Sequence, residues 1–398
     1  MTRATARNAL ALAGVRVAAP LLSLAVVLAV SRRLGAEGLG RYSVAYAFLG
    51  LFGLLSTAGL PALLTREAAR RPEEIGRLLG GGLALAGAVG AALGAIMAVA
   101  ASAGVYDSET CRALLILSLA LVPSAWSACL DAAWLAREQS TPIGAACLAE
   151  HAVKVGLGVG LLGAGYGLHA ALAAAVAGKW LACAVSAGWL WRTGVRLKAG
   201  PGALELAAPA AVLALSAVSA TLYWRVDVFL LSYLRGAAET GYYTAAYRLL
   251  DAAILLPQSL CQALFPRLAA GTSDRRPEKW LLGLTLTVAA PLALAAGPVI
   301  EALYGAALRP AAPVLALLIW TAAPYAGNRY RAYRLVAEDR QRTDLGINLA
   351  LLGVNAAANL LLIPRWGAAG AALVTLGTAI LYGAVQSVCL RRAAATAV

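Results

Sequence analysis

Between residues 9 and 390 the chain is a succession of apolar runs, each about 20 residues long or longer, joined by short connectors that hold most of the charge. A helix rises 1.5 Å per residue, so about 20 residues cross the roughly 30 Å of hydrocarbon in a bilayer. In that solvent each backbone N–H and C=O must be satisfied inside the segment, which leaves only helices and closed barrels. Barrels are built from alternating segments of about ten residues, and these runs do not alternate. They fall near 9–30, 42–64, 78–104, 112–136, 142–163, 168–191, 206–231, 242–265, 281–304, 312–333, 345–363 and 367–390, which predicts twelve transmembrane helices. Composition agrees, with 61% hydrophobic residues and 13% charged ones. Soluble domains run at about 45–50% and about 25%. The fold class is an all-α polytopic membrane protein.

The net charge of +14 raises the question of nucleic acid. The placement of the cations argues against that partner, because most sit in connectors, where a positive-inside bias puts them. With the N-terminus inside, 21 Lys/Arg fall in inner segments and 7 in outer ones, which places both termini in the cytoplasm. Arg3 and Arg7 before an apolar run resemble a signal peptide, but the run lacks a small-residue cleavage box, so a retained first span is expected. The six cysteines show no CxxC pairing and read as small buried thiols. His151 and His169 read as hydrogen-bonded structural groups, with a pH switch as the alternative.

The chain also repeats itself. Residues 35–69 align without a gap on 236–270 with 14 of 35 positions identical, including Gly40/Gly241, Tyr42/Tyr243, Tyr46/Tyr247 and Arg66/Arg267. A weaker echo sets Tyr166-Gly167 against Trp366-Gly367. Two six-helix lobes inserted in the same orientation follow, 1–195 and 206–398, joined by a linker at 196–205 that contains Gly200, Pro201 and Gly202. Transporters reuse this logic and hold substrate between repeats.

Three stretches carry a family resemblance: "RRLGAEGLGRYSVAYAFLGLFGLLSTAGLPALLTREAAR" (32–70), "YWRVDVFLLSYLRGAAETGYYTAAYRLLDAAILLPQSLCQALFPRLA" (223–269) and "NLLLIPRWGAAGAALVT" (359–375). They resemble bacterial polysaccharide flippases of the Wzx type, within the multidrug/oligosaccharidyl-lipid/polysaccharide exporter superfamily. The resemblance implies a MATE-like, alternating-access transporter in the bacterial inner membrane. Its cargo would be a polyprenyl-pyrophosphate-linked oligosaccharide for surface polysaccharides such as O-antigen or exopolysaccharide. It implies no enzyme activity, no cofactor and no metal, with a proton or sodium gradient as energy source. Membrane lipids, a polysaccharide polymerase and glycosyltransferases of the same pathway are the implied partners.

A pyrophosphate crossing a bilayer needs cations in a low-dielectric cavity. Beyond the 21 inner and 7 outer cations, five remain inside the runs: Arg16, Lys154, Lys179, Arg225 and Arg248. Arg16, Lys154 and Lys179, all in the first lobe, are the candidate phosphate ligands, with snorkelling or structural pairing as the alternative. Glu150 stands four residues before Lys154 on one helical face, which suggests a mutual pair or a displaceable one that takes up a proton. Arg225 and Asp227 cannot share a face, whereas Arg248 and Asp251 can. In an antiparallel hairpin a crossed arrangement, Arg225 with Asp251 and Asp227 with Arg248, would lie in the outer part of the bilayer as a clip, a gate or an ion-coupling group.

Asn348, Asn355 and Asn359 share a face, by default for interhelical hydrogen bonds, with sugar contact by Asn355 and Asn359 as the alternative. Tyr223, Trp224, Tyr233, Tyr242, Tyr243 and Tyr247 read mainly as an aromatic belt. Prolines at 20, 61, 123, 209, 257, 291 and 324 mark kinks or hinges. A drug or organic-cation antiporter would show a carboxylate-rich cavity, and the excess here is cationic. A membrane glycan ligase would need a large outer loop and a catalytic base, and neither is present.

Overall fold

The structure is a computed structural model that describes residues 3–57, 59–198, 204–269 and 276–396, with side chains omitted at 3–18, 20–21, 204–217, 219–220, 266–267, 269 and 393–396. All regular elements among the described residues are helical. In chain order they are α1 (Arg3–Thr57), α2 (Leu60–Arg70), α3 (Ile75–Ser102), α4 (Ser108–Ser118), α5 (Leu121–Ala136), α6 (Thr141–Gly163) and α7 (Gly167–Arg192), then α8 (Leu204–Ala269), α9 (Arg276–Leu294), α10 (Ala296–Tyr304), α11 (Ala311–Leu318), α12 (Ala322–Ala337) and α13 (Gln341–Thr396). Six described helices are long and apolar enough to cross a membrane, or seven if α9 and α10 form one bent span. That tally is below the twelve expected runs because joined helices count once, and short or charge-rich helices do not count.

Two kinds of residue place the breaks. Glycines with positive φ join paired helices: Gly35 within α1, Gly236 within α8 and Gly367 within α13. At such backbone angles a Cβ is strained. Gly35 and Gly236 are repeat mates, and Gly167, mate of Gly367, also has positive φ. Prolines set the other breaks, because a proline ring clashes with the carbonyl four residues earlier. α1 ends at Thr57, four before Pro61, and α4 gives way at Leu119, four before Pro123. α9 ends at Leu294, four before Pro298, and bends by 77° into α10. Trp320, four before Pro324, lies in the 3₁₀ turn between α11 and α12. Pro257, Pro291 and Pro364 leave their helices continuous.

The chain divides into two compact units, Met1–Leu34 with Val44–Val218, and Gly35–Ser43 with Ser219–Val398. In the first, α2, α3 and α5 close around Leu60, Leu64, Leu79, Leu130 and Trp134. The Trp126 indole donates to the Leu83 carbonyl at 2.9 Å, and the Trp134 indole to Ser186 at 2.9 Å, which ties α5 to α3 and α7. α6 lies along α7 so closely that a Cβ on Gly178 would meet the Glu150 carbonyl oxygen at 2.7 Å. After α7 the chain docks back on α3, where the Lys198 amide donates to the Gly76 carbonyl at 3.1 Å. The expected linker therefore starts as a packed segment at 196–198, and its residues 199–203 lie outside the described residues.

In the second unit, residues 36–40 cross 237–241 at backbone contact. A Cβ on Gly40 would stand 1.8 Å from the Ala237 oxygen, and one on Gly241 would stand 1.9 Å from the Ala36 oxygen. The repeat mates thus face each other reciprocally, as small residues do where membrane helices approach. The second half of α13 starts under a carboxylate, with the Ala368 amide donating to Glu239 at 2.7 Å. A negative charge there satisfies an orphan amide and meets the positive end of the helix dipole.

Candidate functional site

Each unit holds a cation inside its helices, and each cation lies on a tyrosine of the repeat. In the first unit Lys154, on α6 and only 7% exposed, sits with Nζ 4.9 Å from the Tyr46 ring centroid and 3.4 Å from the Ser23 hydroxyl. In the second unit the Arg225 guanidinium lies 5.0 Å from the Tyr247 ring centroid. Tyr46 and Tyr247 are repeat mates, so one framework position serves both units. A desolvated cation over an aromatic face gains attraction from the ring quadrupole.

Around Lys154, His151 bridges α6 to α1. Its Nδ1 is 2.9 Å from the Cys147 carbonyl and its Nε2 is 3.4 Å from the Ser23 hydroxyl. Glu150 does not take Lys154 as its ion-pair partner. Its carboxylate meets Lys179 on α7 at 2.8 Å. The close approach at Gly178 brings the neighbouring residue onto Glu150, and an interhelical pair wins over the i,i+4 pair expected from spacing. Asp131 on α5 adds a second carboxylate that interacts electrostatically with Lys179 and Glu150. His169 is hydrogen-bonded as expected, to the Glu109 carbonyl at 3.2 Å, and also faces the Glu109 carboxylate at 3.7 Å, a neighbour that sequence reading missed. The side chain of Arg16 lies outside the described residues.

In the second unit one arm of the expected crossed arrangement forms, with Arg225 and Asp251 3.7 Å apart. The other does not. Asp227, 3% exposed, accepts from the Tyr243 hydroxyl, from the Val228 amide at 2.7 Å and from Thr375 at 3.4 Å. Arg248 instead acts electrostatically on Asp251 and Tyr304. Asp227 lies nine residues before the joint at Gly236, Tyr243 seven after it and Arg248 twelve after it, so the tyrosine comes nearer in depth to the aspartate and takes it. The depth also changes. The helix resumes at 237 and runs to 269, which puts Asp251 about 22 Å from Gly236, near the midpoint rather than the outer end.

The aromatic belt is corrected as well. Tyr223, Tyr243 and Tyr247 are buried at 4%, 0% and 3%, whereas Tyr233 is exposed. Buried tyrosines need hydroxyl partners: Tyr243 finds Asp227 and Thr375, and Tyr247 finds the Trp224 carbonyl. On α13, Asn355 donates across the bend at Gly367 to Thr378 at 3.0 Å, the interhelical role expected by default, whereas Asn359 donates to Asn355 one turn earlier on the same segment at 2.8 Å. With Asp227 and Thr375 they form a buried polar layer.

A cavity of ≈ 350 Å³ opens beside Arg225. Arg225, Arg329 and Asp251 supply its charge, and Trp224, Tyr247 and Tyr325 supply aromatic walls. Gln258 and Thr221 add neutral donors and acceptors. Arg329, which the sequence reading did not single out, is held over Tyr325 and Tyr333 at 6.0 and 5.7 Å. Its sequence signal was a tyrosine one helical turn away on either side. Two guanidiniums against one carboxylate favour an anion, and flat aromatic faces favour sugar rings or other planar groups.

No curated protein sequence matches the chain. Among solved structures it resembles an inward-facing multidrug resistance MATE family transporter of the MOP superfamily, with TM-score 0.74, 15% identity, and coverage of 96% of this chain and 98% of the other. It also resembles the lipid II flippase MurJ in an inward closed conformation, with TM-score 0.78, 15% identity, and coverage of 95% and 87%. A third neighbour is a MOP superfamily transporter from Pyrococcus furiosus, with TM-score 0.64, 14% identity, and coverage of 98% and 95%. At such identity the likeness shows the fold alone, a multi-pass membrane fold that these three proteins share. The family model for polysaccharide biosynthesis proteins matches residues 5–271, so the chain belongs to the polysaccharide biosynthesis protein family.

Proposed function

We propose that the protein flips a polyprenyl-pyrophosphate-linked oligosaccharide across the bacterial inner membrane by alternating access, with both termini cytoplasmic and transport driven by a proton or sodium gradient. The observation that carries this reading is the cavity of Arg225, Arg329, Trp224, Tyr247 and Tyr325. It joins cations for a pyrophosphate to aromatic faces for a glycan, inside a fold used by transporters. Lys154 on Tyr46 is the corresponding cation of the first unit, and Lys179 is held against Glu150 beside it. Asp227, Asn355 and Asn359 belong to the buried polar layer, and Asp227 is the group proposed to bind the coupling ion.

A multidrug antiporter reading is disfavoured because the cavity offers two cations to one carboxylate. The test is reconstitution in liposomes carrying a fluorescent lipid-linked oligosaccharide on both leaflets, with leaflet exposure read by a membrane-impermeant quencher. Movement should depend on an imposed ion gradient, be lost in Arg225→Gln/Arg329→Gln, and lose its gradient dependence in Asp227→Asn. Gradient-driven export of an organic cation with no movement of the lipid-linked glycan would overturn the reading.

A further inference from the structure

A second pocket, separate from the cavity beside Arg225, lies along α12 between the start of α9 and the end of α13. Its volume is ≈ 270 Å³, and its polar lining is Glu278, Lys279, Arg331, Arg334, Ser387 and Arg391. Four cations face one carboxylate. Arg331 is committed: it donates to Glu278 and, at 3.2 Å, to the Asn328 side-chain oxygen, while the Asn328 side-chain amide donates to the Ala379 backbone carbonyl at 2.7 Å. Its guanidinium fills a slot left by Gly383, where a Cβ would stand 2.6 Å from both Nη1 of Arg331 and Oδ1 of Asn328. Arg334 pairs with Glu338 at 2.8 Å. Lys279 and Arg391 are exposed, and neither forms an ion pair among the described residues. The pocket therefore keeps two uncompensated cations beside a fixed guanidinium.

The other wall is apolar: Leu282, Ala323, Pro324 and Leu390. From there Leu282 and Leu286, one turn apart and 42% and 38% exposed, continue an outward stripe along α9, and Trp280 at 61% exposure marks the interface level. A free inorganic anion would use none of this apolar surface. Basic pockets between transmembrane helices on the side to which the Lys/Arg distribution assigns these residues suit anionic head groups. We infer that this pocket binds an anionic phospholipid, with the head-group phosphate between Lys279 and Arg391 on the Arg331 wall and an acyl chain along Leu282 and Leu286.

The inference does not depend on the identity of the transported glycan. Native mass spectrometry of the full chain in detergent, titrated with phosphatidylglycerol or with phosphatidylcholine of the same chains, tests it. The first phosphatidylglycerol should bind about thirtyfold more tightly than phosphatidylcholine, given two added cation contacts at the bilayer surface. Lys279→Gln/Arg391→Gln, at two exposed positions that leave the Arg331 network intact, should abolish that preference. Arg309→Gln, an exposed position of the same unit outside the pocket lining, should retain it. Equal binding of the two lipids, or a preference that survives the double substitution, overturns the inference. So does inorganic pyrophosphate that binds wild-type protein as tightly as phosphatidylglycerol and displaces it, since the site would then serve a soluble anion.

Discussion

Replacing Gly241 with alanine probes the crossing on which the second unit is built. The new Cβ would stand 1.9 Å from the Ala36 carbonyl oxygen, where about 3.0 Å is the closest approach Cβ atoms tolerate. The two segments must therefore part by about 1.1 Å, the difference between those distances. The obstacle is backbone inside a helix, so no side chain can rotate away to relieve it. A radial gap of about 1 Å removes up to about half of each facing van der Waals contact, and those contacts are what holds membrane helices together. Overpacking of this kind costs about 1–3 kcal/mol. Gly40→Ala creates the reciprocal clash at 1.8 Å from the Ala237 oxygen and should cost a similar amount. Because one separation relieves both clashes, the double variant should cost little more than the worse single one, a clear departure from additivity. Thermal unfolding of the purified protein in detergent measures all three. Gly353→Ala is the matched control, since its Cβ would meet nothing within 4 Å, and it should be neutral or stabilising by up to about 1 kcal/mol. If Gly241→Ala unfolds with the control, or if the two substitutions add, the backbone crossing is not as close as described.

Three further outcomes follow from side-chain pairing. The swap Arg225→Asp/Asp251→Arg should restore transport lost in either single variant, whereas Asp227→Arg/Arg248→Asp should not, because Asp227 is held by Tyr243 and Thr375; transport measured in the liposome assay decides between them. Glu150→Gln and Lys179→Met should each lower the unfolding temperature, and the double variant should recover most of the loss, since removing both members of a partly buried pair leaves no charge stranded. Glu239→Ala should cost about 1 kcal/mol in the same measurement by exposing the Ala368 amide at its helix start.

Much of the architecture was legible because it is written locally. A run of about 20 apolar residues needs no tertiary partner to declare itself a helix in lipid. The repeat could be aligned position by position, and its landmarks proved structural: Gly35 and Gly236 bend their helices, Gly40 and Gly241 cross, Tyr46 and Tyr247 each carry a cation. Proline breaks could also have been read, four residues upstream of Pro61, Pro123, Pro298 and Pro324.

Partner choice among the charges was not legible. Spacing along one helix matched Glu150 with Lys154, but the pair formed is set by how near α7 comes, and that depends on Gly178 in another helix. Helical geometry separated Arg225 from Asp227 correctly, yet which tyrosine or threonine each one meets depends on the turn at Gly236 and on α13. Arg329 was not singled out from sequence, and only α12 carries it to the cavity wall. By itself the sequence determined the class of fold, the repeat and the places where the backbone bends, because these rest on hydrophobic length and steric rules that act within a few residues. Only the tertiary structure decided which buried charges meet, because interaction energy falls off over a few ångströms and those distances belong to helix packing.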